Sequence, residues 1–368
     1  MSANDYIHVG TPNIGDRQKF HRLVDEILDS RWLTNRGKLL REFEDLLSDY
    51  LGVKHCIAVC NGTVGLELAV QALGLKGQVI VPSLTFIATV HALYRSGIEP
   101  VFCDVDRESY NIDPSLIEPL ITDQTTGVMG VHAYGRPCEI DSLSQIAEAQ
   151  GLQLLFDAAH AFGCSYHGKM LGNFGSCEVF SFHATKFFNT CEGGAIATND
   201  DAIAAKIRLM LNFGFSGVDE VISVGTNGKM SEIHAAMGLV NFKSIPEFIE
   251  QNRCNYECYR EAFKKVEGVH LHELGEGEAL NYQYVVVELK SNFQHGRDLI
   301  LKRLHNRGIL ARRYFWPGCH RMEPYQRLQP DAGHGLPVTE DVSDRILVLP
   351  TGQTVGREEI DTIVEVFN

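Results

Sequence analysis

Between residues 55 and 200, short apolar and β-branched runs alternate with stretches in which apolar side chains recur every three or four positions. This is the pattern of βα units feeding a parallel sheet. The run 55–60 predicts a strand, and 63–73 predicts a helix because Leu66, Ala69, Val70 and Leu73 fall at i, i+3, i+4 and i+7. Gly74 stops that helix. The pattern repeats with a strand at 78–81, the pair Pro82 and Ser83, a helix with an expected buried stripe of Ile87, Val90, His91 and Tyr94, and a strand at 99–105. Further strands are predicted at 127–132, 152–156 and 178–182, with a helix at 140–150.

Past Ser231 the pattern turns helical, at 231–242 and 246–265, and then mixed, with strands at 282–289 and 309–314 around a helix at 297–306. The prediction is an α/β protein. A large domain, 1–245, carries a mostly parallel sheet flanked by helices, and a smaller α+β domain, 246–368, follows. No internal repeat or low-complexity tract interrupts either.

Composition narrows the possible partners. Lys and Arg number 33 against 47 Asp and Glu, a net charge of −14, which opposes broad attraction to nucleic acid or anionic lipid. The start, Met1 to Tyr6, has neither a basic nor an apolar export segment, and no later apolar run is long enough to span a membrane, so a cytoplasmic protein is expected. Ten cysteines lie scattered from Cys56 to Cys319, which suits reduced thiols better than a disulfide framework. The pairs Cys56 with Cys60 and Cys254 with Cys258 lack a second ligand cluster, so no metal site is expected. A small anion would need local cations, and the densest are Lys302, Arg303, Arg307, Arg312 and Arg313. These residues equally suit a solvated helix face and strand edge.

Ligands of an open parallel sheet collect outside the carboxyl ends of its strands. Three candidates fall there. Asn61-Gly62-Thr63 joins a strand to a helix, which suits either a phosphate at the helix N-terminus or an ordinary capped turn. Asp157 ends an apolar strand, where a carboxylate either finds a cationic partner or caps the next turn. Lys186 follows Ser181 and His183 and precedes Glu192-Gly193-Gly194. A lone lysine is ordinarily a surface residue, but Phe180, Phe182, Phe187 and Phe188 make its surroundings apolar, and a desolvated amine is a nucleophile for carbonyl carbon. Dinucleotide, P-loop and hydrolase motifs are missing.

In order along the chain, Asn61-Gly62-Thr63, Pro82-Ser83-Leu84-Thr85-Phe86, Asp157-Ala158-Ala159-His160, the stretch from Ser181 to Lys186, and Asn227-Gly228-Lys229-Met230-Ser231-Glu232 resemble the DegT/DnrJ/EryC1/StrS family. Its members are sugar aminotransferases that use pyridoxal 5'-phosphate on the fold type I scaffold. The resemblance runs from Leu33-Thr34-Asn35-Arg36-Gly37 to the segment ending at Cys319-His320.

The resemblance implies that Lys186 is the Schiff-base lysine and moves the proton, and that Asp157 pairs with the pyridine nitrogen. It further implies that Phe86 stacks on the ring and that Gly62, Thr63 and Ser181 cradle the phosphate. Asn227 would reach the phosphate of a second copy, making a homodimer with shared active sites. His160 stands where many members carry Gln and would face the ring hydroxyl, while Cys191-Glu192-Gly193-Gly194 replaces a commoner Gly-Asp-Gly-Gly. One branch of the family dehydrates sugars with His at the lysine position, and Lys186 argues against that chemistry. Tyr314 and His320 are implied for substrate contact, with Arg312 or Arg313 for the diphosphate, although the same segment also reads as a packed corner with solvated arginines.

The implied reaction aminates a nucleotide-linked ketosugar with L-glutamate as donor, most like enzymes making dTDP-4-amino-4,6-dideoxyglucose from dTDP-4-keto-6-deoxyglucose. This would be a step of deoxyamino sugar biosynthesis for O-antigen or lipopolysaccharide. A GDP-linked 4-ketosugar, a 3-ketosugar, and a non-catalytic regulatory role at the cofactor site are the alternatives.

Overall fold

A computed structural model of the chain describes residues 6–275, 278–329 and 335–368. The first five residues, on which the expected lack of an export segment largely rests, lie outside that description. Seven strands form the central sheet: β1 His55–Val59, β2 Gln78–Pro82, β3 Glu99–Cys103, β4 Thr125–Val131, β5 Gln153–Asp157, β6 Cys177–Ser181 and β7 Gly194–Thr198. Their spatial order is β1-β7-β6-β5-β4-β2-β3. Neighbours from β6 to β3 pair in parallel, whereas β7 is antiparallel to both β1 and β6. The strand centres are fully buried, with Ile57, Val79, Ile80, Val128, Leu155 and Ile196 all at 0% exposure, because helices cover both faces.

The reversal at β7 decides where Lys186 lies. A parallel neighbour of β6 would require a crossover back to the far edge of the sheet. An antiparallel one lets the connection 182–193 stay at the carboxyl edge, beside the ends of β1 and β5. Gly194 permits the tight junction there, since an added Cβ would lie 2.6 Å from the Phe180 carbonyl and 2.9 Å from the Gly62 nitrogen. Sequence periodicity does not predict β7, whose Gly194-Ala195-Ile196-Ala197-Thr198 carries one bulky apolar residue, Ile196, among small ones.

Helices α1 Arg17–Ser30 and α2 Lys38–Leu51 precede the sheet, and α3 Gly62–Ala72 and α4 Ile87–Arg95 follow β1 and β2. The stripe of α3 is buried as expected at Leu66, Ala69 and Val70. That of α4 is rotated from the expected one: Thr89, Val90, Ala92 and Leu93 are buried, while Tyr94 is 49% exposed. A hydroxyl at Thr89 faces inward because a polar group waits there, as described below.

Farther along, α5 Ile140–Gln150 and α6 Asp201–Met210 precede α7 Glu232–Phe242 and α8 Ile245–Phe263. Ile245 and Phe248 of α8 join the core beneath the large sheet, whereas Tyr256, Tyr259 and Phe263 join a separate core. A domain boundary near residue 245 is proposed on this division. The second core is built on an antiparallel sheet, β8 Val269–Leu271, β9 Val285–Leu289 and β10 Ile346–Leu349. The expected strand 309–314 shortens to Ile309–Leu310, which pairs with Ile7–His8, and Arg312 bridges to Val348.

Candidate active site

A cavity of about 710 Å³ opens where the carboxyl ends of β1, β5 and β6 meet the segments leading into β9 and following Ile309–Leu310. Gly62, Thr63, Phe86, Asp157, His160, Ser181, Lys186, Arg312 and Tyr314, all singled out from sequence, line it. The floor comes from the loop 182–193, pinned by its aromatic anchors: Phe162 and Phe182 centroids lie 5.1 Å apart, and those of Phe182 and Phe188 5.0 Å apart. Gln283 accepts from the Phe187 amide at 3.0 Å, tying the loop to the second core.

Lys186 is half-buried, with its amine 3.2 Å from the Tyr284 hydroxyl. Desolvation lowers its pKa from 10.5 to about 8, against the opposing pull of the Asp157 charge. About a tenth of the amine is therefore unprotonated and nucleophilic at pH 7, against well under a thousandth for an ordinary lysine. Asp157 is 5% exposed and ends β5; its Oδ2 accepts from the Thr89 hydroxyl at 2.7 Å, and its Oδ1 from the Ala159 amide at 3.0 Å. Thr85 and Thr89 hydroxyls in turn lie 2.8 Å apart. Burial raises the Asp157 pKa, and the Thr89 and Ala159 hydrogen bonds work against that rise. Of the two roles left open by sequence, the Ala159 bond is the turn cap, and the second partner is the Thr89 hydroxyl and not a cation.

His160 is enclosed by aromatic rings, stacked 5.5 Å from Phe315 and tilted 4.7 Å from Tyr284. Its Nδ1 accepts the Tyr134 amide at 3.3 Å, which leaves the proton of the neutral ring on Nε2. Burial, reinforced by the nearby Lys186 charge, holds its pKa well below 6.5. The ring is therefore neutral at physiological pH.

At the end of β1, Asn61 caps α3, its side chain accepting from the Val64 amide at 2.9 Å. The first-turn N–H groups of Gly62 and Thr63 have no intrahelical partner, and a Cβ on Gly62 would stand 3.1 Å from that of Ser181. This crowded, donor-rich corner suits a phosphate. Phe86 is 52% exposed at the cavity rim, its ring 6.3 Å from that of Phe315. In the turn before β7, Cys191 takes a left-handed φ of 66°, and a Cβ on Gly193 would collide with the Thr190 hydroxyl at 2.0 Å.

Three expected site residues lie elsewhere. His320 is 3% exposed and faces away from the cavity, because Nδ1 is held 2.7 Å from the Ser83 hydroxyl and Nε2 3.3 Å from Glu340. In this arrangement it clamps the loop after Ile309–Leu310. Arg313 stacks on Trp316 at 4.0 Å and pairs with Asp298 at 3.4 Å, outside the main cavity. Asn227 bridges to Asn212 and is exposed, away from this chain's own cavity. Conversely, Thr89 and Tyr284 were not singled out from sequence. A threonine in the apolar phase of α4 was the available signal for the first; Tyr284 sits inside a predicted strand and carried none.

An amine of lowered pKa, a buried carboxylate on the same cavity and a phosphate-binding helix end define a pyridoxal-phosphate enzyme of fold type I. The donor set fits that group: Gly62, Thr63 and Ser181 would hold the phosphate, Asp157 the ring nitrogen, His160 the ring oxygen and Lys186 the aldehyde carbon. Residues 15–368 match the DegT/DnrJ/EryC1/StrS aminotransferase family, and the chain belongs to it. It is 35% identical over 97% of its length, and 97% of the relative's, to the dTDP-4-amino-4,6-dideoxy-D-glucose transaminase of Shigella dysenteriae. Against the GDP-perosamine synthase of Caulobacter vibrioides it is 35% identical over 99% of its own length and 98% of the relative's. Its fold superposes with a TM-score of 0.94 and 45% identity on a crystal structure of DesI in the presence of its TDP-sugar product, covering 98% of this chain and 92% of that one. The protein is a pyridoxal-phosphate-dependent sugar aminotransferase. Among the described residues no His, Cys, Asp and Glu cluster is placed to hold a metal ion, and no helix is long and apolar enough to cross a membrane.

Proposed function

We propose that the protein transfers the amino group of L-glutamate to C4 of dTDP-4-keto-6-deoxyglucose, giving dTDP-4-amino-4,6-dideoxyglucose. The observation that carries the nucleotide and sugar class is the 45% identity and 0.94 TM-score to DesI, solved with a TDP-sugar product. The 35% identity to a GDP-perosamine synthase keeps a GDP-linked 4-ketosugar as the second reading.

Bound in the cavity, pyridoxal phosphate supplies an aldehyde for amines and a protonated ring that draws electrons from the substrate carbon. The chain's residues do the rest. Asp157, kept ionised by Thr89 and Ala159, holds the proton on the ring nitrogen. The Lys186 amine would take the proton from Cα of glutamate and, in the second half-reaction, deliver a proton to C4 of the sugar. Tyr284 positions that amine by its hydroxyl. His160 would donate Nε2–H to the ring oxygen as a neutral group, and Phe86 would cover a ring face. A nucleophilic amine beside a buried carboxylate has no use in a non-catalytic ligand sensor, which speaks against a purely regulatory role.

The proposal includes a homodimer. Trp32, Phe213, Val218, Ile222 and Val224 are apolar and from 46% to 92% exposed, a surface that a second copy would cover. Asn227 closes the same segment and would complete the partner's phosphate site. A cytoplasmic place in making amino sugars for O-antigen fits this reaction. The test is turnover with L-glutamate against dTDP-, UDP- and GDP-linked 4- and 3-ketosugars, with product regiochemistry read by NMR. Turnover confined to 3-ketosugars would overturn the substrate assignment, and preference for a GDP-sugar would establish the second reading.

A further inference from the structure

One cavity must accept two substrates that share no skeleton, glutamate and a nucleotide-linked hexose, and both are anions. The cations lining it are few. Arg95 is paired with Glu67 at 2.7 Å, and Lys186 is committed to the chemistry. Arg312 remains: it is exposed, its guanidinium lies 4.9 Å over the Tyr314 ring, and among the described residues it makes no ion pair. Its backbone is fixed by mutual hydrogen bonds with Val348 at 3.0 and 2.8 Å, so the guanidinium projects from a rigid sheet edge.

Two aromatic rings separate Arg312 from the reacting amine. Tyr314 lies against Tyr284 at 6.5 Å between centroids, and the Tyr284 hydroxyl meets Lys186. Arg312 and Lys186 thus line one cavity with two aromatic side chains linking them, an arrangement that suits a substrate anion set further along the chain than the reacting carbon. With C–C bonds of ~1.5 Å, the γ-carboxylate oxygens of extended glutamate lie about 5 Å from Cα, and the first phosphorus of a nucleotide hexose lies about 5 Å from C4. The two anions occupy the same place relative to the atom that reacts. Both present paired oxygens that match the donor fork of arginine.

Resting on the aminotransferase reading above, we propose that Arg312 is a shared anion receptor, binding the γ-carboxylate of glutamate in one half-reaction and the sugar-linked diphosphate in the other. It thereby selects glutamate over donors without a distal carboxylate, and it makes nucleoside diphosphate and glutamate mutually exclusive.

The test follows each half-reaction separately, by cofactor absorbance in the holoenzyme, for the wild type, Arg312→Gln and Arg312→Lys. In the wild type dTDP competes with glutamate, and glutamate is preferred to L-norvaline, which lacks the γ-carboxylate. Arg312→Gln weakens half-saturation for glutamate and for the ketosugar by roughly 30-fold each, abolishes the preference over norvaline and leaves the limiting rate much less affected. Arg312→Lys restores part of both affinities. A glutamate preference that survives in Arg312→Gln, or an effect on the ketosugar alone, would overturn the shared receptor. The glutamate arm needs no sugar, so it reads Arg312 even if the dTDP-sugar assignment fails.

Discussion

Thr89 offers a sharp test of how the site works, because its hydroxyl is the side-chain donor to Asp157. Valine has nearly the same shape and removes the hydroxyl that donates at 2.7 Å to Oδ2. A buried hydrogen bond to a charged group contributes about 1.5–3 kcal/mol. Its loss raises the carboxyl pKa above the value burial has already lifted, so the ionised form that holds the ring-nitrogen proton becomes harder to maintain. At 1.36 kcal/mol per tenfold, cofactor affinity should fall by roughly 10- to 150-fold. Titration of apoprotein with pyridoxal phosphate, followed by absorbance, reads this directly. Thr89→Ser keeps the hydroxyl and should stay close to wild type, while the melting temperature of each apoprotein checks the fold. A Thr89→Val protein that folds and binds the cofactor within twofold of wild type would refute the reasoning.

Other outcomes follow from the same geometry. Lys186→Ala should lose turnover by at least ~10⁴-fold, and borohydride should no longer fix the cofactor to the chain, as peptide mass mapping would show. The kcat profile should rise with pH and level off above about 8, since Lys186 acts as a base only when deprotonated and its pKa is lowered to about 8. His160 should add no inflection between pH 6 and 8, because its pKa lies well below that range; His160→Gln should keep most activity, whereas His160→Leu should lose about tenfold. Tyr284→Phe removes an oxygen that accepts from the charged amine, so the inflection should move below that of wild type.

Much of the sheet was legible because strands buried on both faces read as apolar runs, and the residues that end β1, β5 and β6 stand out as polar groups against them. The same cause hid β7: its small residues carry no strand signature, although its reversed direction puts Lys186 at the carboxyl edge. β10 was missed because Ile346–Leu349 follows the helix Pro337–Arg345 without an intervening turn residue. Periodicity misjudged α4, since burial there is set by Asp157 reaching for Thr89 and not by apolar contacts alone. His320 shows the opposite limit. A histidine in a promising segment turned out to be spent on Ser83 and Glu340, contacts from residues 237 and 20 positions away that no local pattern encodes.

The central claim, amine transfer through Lys186 to C4 of a dTDP-linked ketosugar, meets its most direct test in a single turnover. Holoenzyme is loaded with glutamate, freed of excess donor and mixed with dTDP-4-keto-6-deoxyglucose, and the product is identified by NMR. One equivalent of 4-amino sugar per active site, with none from Lys186→Ala, is the predicted result. No amino sugar from the loaded wild-type protein, or an amine at C3, would contradict it.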